Sequence, residues 1–249
     1  MAAAPPPPPP PAFSIVKAAV SPARALYGGR PVEAQLRFRA SEPVDVRIQI
    51  ERRGGGLARR FDLSAVRPPG PVVVRWNGRV RGSREAREGR YVVRAGRRGG
   101  RLRTIGRFTF RRHIYPVRGR HSFRGPIGRF GAGRSGGRTH QGFDINARCG
   151  TRVVAARAGR VKRRRYDPVL YGNFVIVHSA SERRDYWYSH LRTPARVRQG
   201  RRVKTGQLLG RVGKTGNART VGCHLHFELR GRGGPFDPLP RLRAWDRFS

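Results

Sequence analysis

Between Val32 and Phe38 the apolar residues Val32, Ala34, Leu36 and Phe38 alternate with Glu33, Gln35 and Arg37, and Val44, Val46, Ile48 and Ile50 alternate with Asp45, Arg47 and Gln49. A period of two is the signature of a strand with one buried face. Further strands are expected at residues 72–76, 91–95 and 106–110, separated by turns that contain Gly and Pro. Short strands at this spacing predict a small all-β sandwich over residues 12–112. In the second half, residues 153–156, 159–163, 174–178, 183–190, 207–212 and 224–230 read as short strands, and few stretches are long or periodic enough for a helix. The chain is therefore expected to be all-β, with a second domain over residues 113–249. No internal repeat is visible.

Two of the expected strands carry metal-ligand chemistry. Side chains alternate faces along an extended chain, so His224 and His226 project to one side while Cys223, Leu225 and Phe227 project to the other. His140 and Asp144 sit four residues apart, one helical turn; Gly142, and the alternation of Phe143 and Ile145 with Asp144 and Asn146, favour a strand instead. Either conformation puts His140 and Asp144 on one face. Three protein ligands and one open position are what a catalytic zinc requires, and four candidates are present.

The order of these pieces resembles the lysostaphin-like zinc endopeptidases, which cut peptide cross-links in bacterial cell walls. The matching stretches are Gly136-Gly137-Arg138-Thr139-His140-Gln141-Gly142-Phe143-Asp144, Gly172-Asn173-Phe174-Val175-Ile176, Tyr188-Ser189-His190-Leu191, Val203-Lys204-Thr205-Gly206-Gln207-Leu208-Leu209-Gly210 and Gly222-Cys223-His224-Leu225-His226-Phe227-Glu228. The resemblance covers roughly the last half of the chain, from about His121 to Leu242. The resemblance implies an antiparallel β-sheet cleft in which His140, Asp144 and His226 hold one zinc ion per chain while His224 and His190 assist the chemistry. His224 is expected to act as the base toward the attacking water and His190 to stabilise the oxyanion, with activity falling below pH ~6.5, the ordinary imidazole value. Asn173 and Tyr188 are placed by the same pattern along the substrate groove. Cys223 departs from the commonest form of the family, and it lies on the face away from the metal.

The bland readings cover the remaining candidates. His113, His121 and His178 are expected to be structural. Gly213-Lys214-Thr215 looks like the end of a phosphate loop, but Leu208 stands where that motif needs glycine. The Gly- and Arg-rich run over residues 125–137 is read as a loop at the rim of the cleft. Cys149 and Cys223 can be zinc ligands, free thiols or a disulfide. If the strand is regular Cys223 points away from the histidines, and a disulfide pinning the two metal-bearing segments is the expectation, which would place the protein outside the cytoplasm.

Composition then sets the partners. The 249 residues carry a formal net charge of +41, almost all of it arginine, since Lys17, Lys162, Lys204 and Lys214 are the only lysines. Such a field attracts polyanions. The arginines spread through both halves and no helix-turn-helix, zinc-finger spacing or paired aromatic platform appears, so nucleic acid is expected only as a non-specific partner. Peptidoglycan and the anionic polymers of a wall fit the field better. Residues 1–11 read as a polyproline II spacer, without the positive start and apolar core of a secretory signal, and no apolar run is long enough to span a bilayer. A monomer in the cell envelope or outside the cell is expected, exported through a segment upstream of this start or by an unrecognised route. Trp76-Asn77-Gly78 and Glu88-Gly89-Arg90-Tyr91 resemble the immunoglobulin-like module of flagellar hook-capping and other bacterial surface proteins, a spacer or wall-docking domain. Two further function classes remain open: a catalytically silent wall-binding or hydrolase-activating protein, and a non-specific polyanion binder.

Overall fold

The structure is a computed structural model that describes residues 13–68, 70–80 and 84–247; the polyproline segment expected over residues 1–11 lies outside them. The chain divides into two compact units, one running to Ala25 and over Arg30–Arg111, the other formed from Arg112 onward together with Leu26–Gly29.

The first unit contains β1 (Phe13–Ser21), β2 (Arg24–Leu26), β3 (Val32–Ala40), β4 (Val44–Arg52), β5 (Gly55–Val66), β6 (Val72–Trp76), β7 (Gly89–Arg97) and β8 (Arg103–Arg111). They form an antiparallel three-stranded sheet, β1-β3-β6, and a five-stranded sheet, β2-β8-β7-β4-β5. The alternation read in the sequence is what closes the core. Val32, Ala34, Leu36 and Phe38 are buried on one sheet, and Val44, Val46, Ile48 and Ile50 on the other. Trp76 joins the two layers, with its ring centroid 5.3 Å from Tyr91 and 5.6 Å from Phe108. Aromatic packing of this kind carries much of a small sandwich core.

The second unit contains β9 (Val117–Arg118), β10 (His121–Phe123), β11 (Phe143–Ala147), β12 (Arg152–Val154), β13 (Gly159–Asp167), β14 (Gly172–Ser179), β15 (Arg184–Leu191), β16 (Arg202–Val203), β17 (Leu208–Arg211), β18 (His224–Gly231) and β19 (Gly234–Phe236), closed by a short helix α1 (Leu239–Asp246). The main antiparallel sheet has the order β10-β11-β18-β15-β14-β13-β16, with β19 against β18; β17-β12-β9 make a second small sheet. Phe143, Ile145, Leu225, Phe227, Tyr186 and Tyr188 point into the core from adjacent strands, all 1% exposed or less. Trp245 of α1 packs beside Phe227 and Tyr186. Period two then obliges the even-numbered residues of β11 and β18 to face the other way, and that face carries the site. Among the described residues no helix is long and apolar enough to cross a membrane.

Two readings of the sequence change here. The strand expected to include His140 begins only at Phe143, and His140 sits on the approach to it. The cause is Gly142, where the chain crosses over β18: a Cβ there would lie 2.6 Å from the Phe227 carbonyl oxygen and 2.8 Å from His226 Cε1. The terminal helix α1 was absent from the expected elements; at eight residues it is too short to establish a period in the sequence.

Candidate metal centre

The centre is built on the β11–β18 ladder. Asp144 is paired directly with His226 and Asn146 with His224, so Asp144 and His226 are same-face neighbours across one pair of strands. His140 reaches the same point from the preceding loop. Its Nε2 lies 2.8 Å from His226 Nδ1 and 3.1 Å from Asp144 Oδ1, and His226 Nδ1 lies 3.0 Å from the same oxygen. All three residues are buried.

The surrounding hydrogen bonds decide what those three atoms present. His140 Nδ1 is 2.8 Å from the carbonyl oxygen of Arg129, which only accepts, so Nδ1 carries the proton and Nε2 a lone pair. His226 Nε2 is 2.8 Å from Glu228 Oε1, and the other oxygen of Glu228 accepts from Arg230 Nε at 2.6 Å. Nε2 of His226 therefore donates, and Nδ1 faces inward with its lone pair. Two imidazole lone pairs and a carboxylate oxygen converge within hydrogen-bond distance and repel one another unless a cation lies between them. A proton competes with a metal for that place: burial opposes charge on His226, but Asp144 and Glu228 together lift its pKa to about 9. Asp144 is held well below the usual carboxylate range by His140 and His226, against the opposing effect of its burial. A tetrahedral zinc at ~2.0–2.2 Å from each ligand would separate the ligand atoms by ~3.3–3.6 Å; the three found here are drawn in slightly from that. Two histidines and a carboxylate with histidine protons held by a carbonyl and a carboxylate are the donor set and outer partners of a zinc site, and the residues fit the ion.

His224 and His190 flank this cluster. His224 Nε2 is 3.8 Å from Asp144 Oδ1. Its Nδ1 lies 2.9 Å from both Arg124 Nη1, a donor, and Gly222 O, an acceptor, and serves one of them at a time. With Arg124 donating, Nε2 holds the proton and points it at the cluster. His190 is reached by an irregularity: in a regular strand it would share the core-facing side of Tyr186 and Tyr188. A register shift opposite Phe174 and a φ of 59° turn it out instead. A left-handed backbone at a non-glycine residue is costly and tends to mark a functional position. Its Nδ1 donates to Thr215 O at 2.8 Å, leaving the Nε2 lone pair toward His224 and His226, whose ring centroids are 4.9 and 5.8 Å away. Burial lowers the pKa of His190 to about 3, helped by the neighbouring histidines, and burial also lowers that of His224. Both rings stay neutral below the pH ~6.5 at which the sequence placed their protonation.

The groove assignment needs correction. Tyr188 is fully buried on the core side, its hydroxyl accepting from Ala156 N at 2.8 Å, because residue 188 lies in the regular part of β15. Asn173 is also buried, its amide donating to Leu191 O. The cleft of about 660 Å³ over the site is lined instead by Tyr171, Leu170, Gln141, Asn217 and Val221, by Arg134 of the rim loop and by Arg124 and Arg138 at its two ends. Residues of that loop expected from the sequence line the rim, with 3₁₀ turns at Pro126–Gly128 and Ser135–Gly137. Glu228 and Arg230 were not singled out in the sequence; the glutamate two residues beyond His226 on the same strand face was the available signal. Cys149 and Cys223 are joined by a disulfide with a Cα–Cα distance of 5.3 Å. The remaining histidines have structural partners: His113 with Glu182, His121 with Asp246 and His178 with Asp185.

Part of the chain is similar to known proteins. Residues 138–238 match the model of peptidase family M23. The L-Ala–D-Glu endopeptidase of Bacillus subtilis is 31% identical over 144 residues, covering 54% of this chain and 43% of that protein. The murein hydrolase activator NlpD of Salmonella dublin is 36% identical over 118 residues, covering 47% of this chain and 29% of that protein. The chain thus spans less than half the length of either relative. The catalytic domain of the antimicrobial peptidase lysostaphin from Staphylococcus simulans aligns over 50% of this chain and 92% of its own, with 27% identity and a TM-score of 0.42.

Proposed function

With residues 138–238 constituting a peptidase family M23 domain, we propose that this protein is a zinc metalloendopeptidase that hydrolyses peptide cross-links of bacterial peptidoglycan in the cell envelope or outside the cell. The observation that carries the reading is the convergence of the His140, Asp144 and His226 lone pairs in a buried cluster whose protons are already committed elsewhere. Held by these three residues, one zinc ion supplies a Lewis acid that polarises the scissile carbonyl and makes water a usable nucleophile near neutral pH.

The chain's own residues supply the proton transfers. His190, locked by Thr215 O with its Nε2 as an acceptor, is suited to take the proton of the attacking water. His224, with Arg124 donating to its Nδ1, presents an Nε2–H to the developing oxyanion or the leaving amine. The hydrogen bonds thus favour the reverse of the division expected from the sequence, in which His224 was the base. Tyr171 and the rim loop form the walls against which the peptide lies.

The Salmonella relative's name, a hydrolase activator, supports a second reading in which the site does not turn over. The intact ligand set favours the first. Zinc analysis tests it: the native protein is expected to hold one zinc per chain, and His140→Ala and Asp144→Ala to lose metal and hydrolysis together. Bound zinc without hydrolysis of any wall peptide would favour the activating role.

A further inference from the structure

The wall of the cleft formed by the rim loop is cationic at the place where substrate must pass. Arg124 places Nη1 2.9 Å from His224 Nδ1, and Arg134 reaches within 3.8 Å of Asp144 Oδ2. Arg138 lines the same cleft. A chain of this net charge puts arginines on every surface, so mere presence would mean little. These guanidiniums, however, are held. Arg134 donates to the carbonyls of Ile127 and Gly133, and Arg138 to that of Ser135, while Arg124 holds Nη1 within donating distance of the His224 imidazole.

Among the described residues Asp144 pairs, of these three arginines, only with Arg134, and no carboxylate of the cleft lies against Arg124 or Arg138. Its two carboxylates are Asp144, turned into the ligand cluster, and Glu228, fully buried between His226 and Arg230. With Nη1 of Arg124 engaged by His224, its Nε and Nη2 remain as a parallel pair of donors, the geometry that a carboxylate accepts in bidentate fashion. Resting on the endopeptidase reading of this site, we propose that Arg124, backed by Arg134 and Arg138, selects wall peptides bearing a free carboxylate near the scissile bond, over neutral bridges such as glycyl-glycine. The spacing sets the place of that carboxylate. Arg124 lies one imidazole ring beyond the His224 nitrogen that is 3.8 Å from the cluster, and a peptide advances ~3.3–3.6 Å per residue, so the carboxylate falls about one to two residues from the bond cut.

A matched pair of synthetic stem peptides, identical except that this carboxylate is free in one and a primary amide in the other, tests the inference on the zinc-supplemented full chain. Both turnover and equilibrium binding are read. The free acid is expected to exceed the amide in kcat/KM by about ten- to a hundred-fold, the scale of a hydrogen-bonded charge pair. In Arg124→Gln that ratio should collapse toward one, whatever the absolute rate, and Arg124→Lys should restore part of it. Arg164→Gln, which removes the same charge from an exposed position on β13, should leave the ratio unchanged. Equal turnover of acid and amide by the unmodified protein would overturn the inference while leaving the endopeptidase intact. A preference that survives Arg124→Gln, or that Arg164→Gln erases equally, would also overturn it. Selective binding of the acid with neither peptide cut would do the opposite, retaining the carboxylate site and removing the endopeptidase.

Discussion

Two hydrogen bonds determine how the central imidazoles behave: Arg129 O fixes the tautomer of His140, and Glu228 that of His226. Because Asp144 and Glu228 raise the pKa of His226 to about 9 against the effect of its burial, zinc must displace a proton. Affinity should therefore rise about tenfold per pH unit between pH 7 and 9 with close to one proton released, measurable by titration calorimetry in buffers of different ionisation enthalpy; binding without proton release would show that His226 does not ligate as described. Glu228→Gln should weaken zinc by about 10- to 100-fold, the usual consequence of losing an outer partner. His190→Ala and His224→Ala should each keep zinc and lower kcat/KM by about 10²–10⁴, the range of general acid–base catalysis. The lowered pKa of His190, about 3, and of His224, both first through burial, leave these rings neutral as pH falls. At saturating zinc the acid limb of kcat/KM should accordingly lie below pH ~6.5; a limb at 6.5 or above would contradict their burial. The pair His224/His226 was legible from spacing, since period two puts both on one face of β18; His140 reaches Asp144 from the loop before β11, which period two does not predict. The outward turn of His190 was not legible, because it depends on a bulge and a left-handed φ that no local pattern announces.

Ladder register is what makes the site at the level of elements. The β11–β18 pairing sets Asp144 opposite His226, and the Cys149–Cys223 disulfide closes a separation of 74 residues beside that pairing. Replacing both cysteines by serine should lower the stability of this unit by about 2–4 kcal/mol, read from chemical denaturation, and loosen zinc in proportion to any loss of register. Unchanged stability and unchanged metal affinity would show that the ladder needs no such tie. Strands with unbroken alternation, β3 and β4, were legible from the sequence because each buries one face throughout. β1 and β5 were not. A register shift after Ile15 breaks the period of β1, and β5 lies at a sheet edge with three shifts along its pairing to β4. Irregular edge strands bury little and leave little pattern.

Across the whole molecule the net charge of +41 governs encounter more than chemistry. Association with an anionic wall should fall steeply as salt rises through 0.05–0.5 M, whereas turnover of a short uncharged peptide should respond weakly, because long-range fields are screened and contacts at the metal are not. Equal salt sensitivity of the two would remove the field from the account. We propose the first unit as an immunoglobulin-like spacer or wall-docking module, a role for which its exposed arginines are suited. Composition revealed the charge at once; it did not reveal that three arginines line the cleft, which requires the rim loop to fold over β11. The most direct test of the central claim is incubation of purified peptidoglycan with the protein, with and without a zinc chelator, and mass spectrometry of the released fragments. The account predicts new peptide amino termini that vanish with the chelator and return with added zinc. Release that the chelator does not affect, or no release from a protein that retains its zinc, would contradict it.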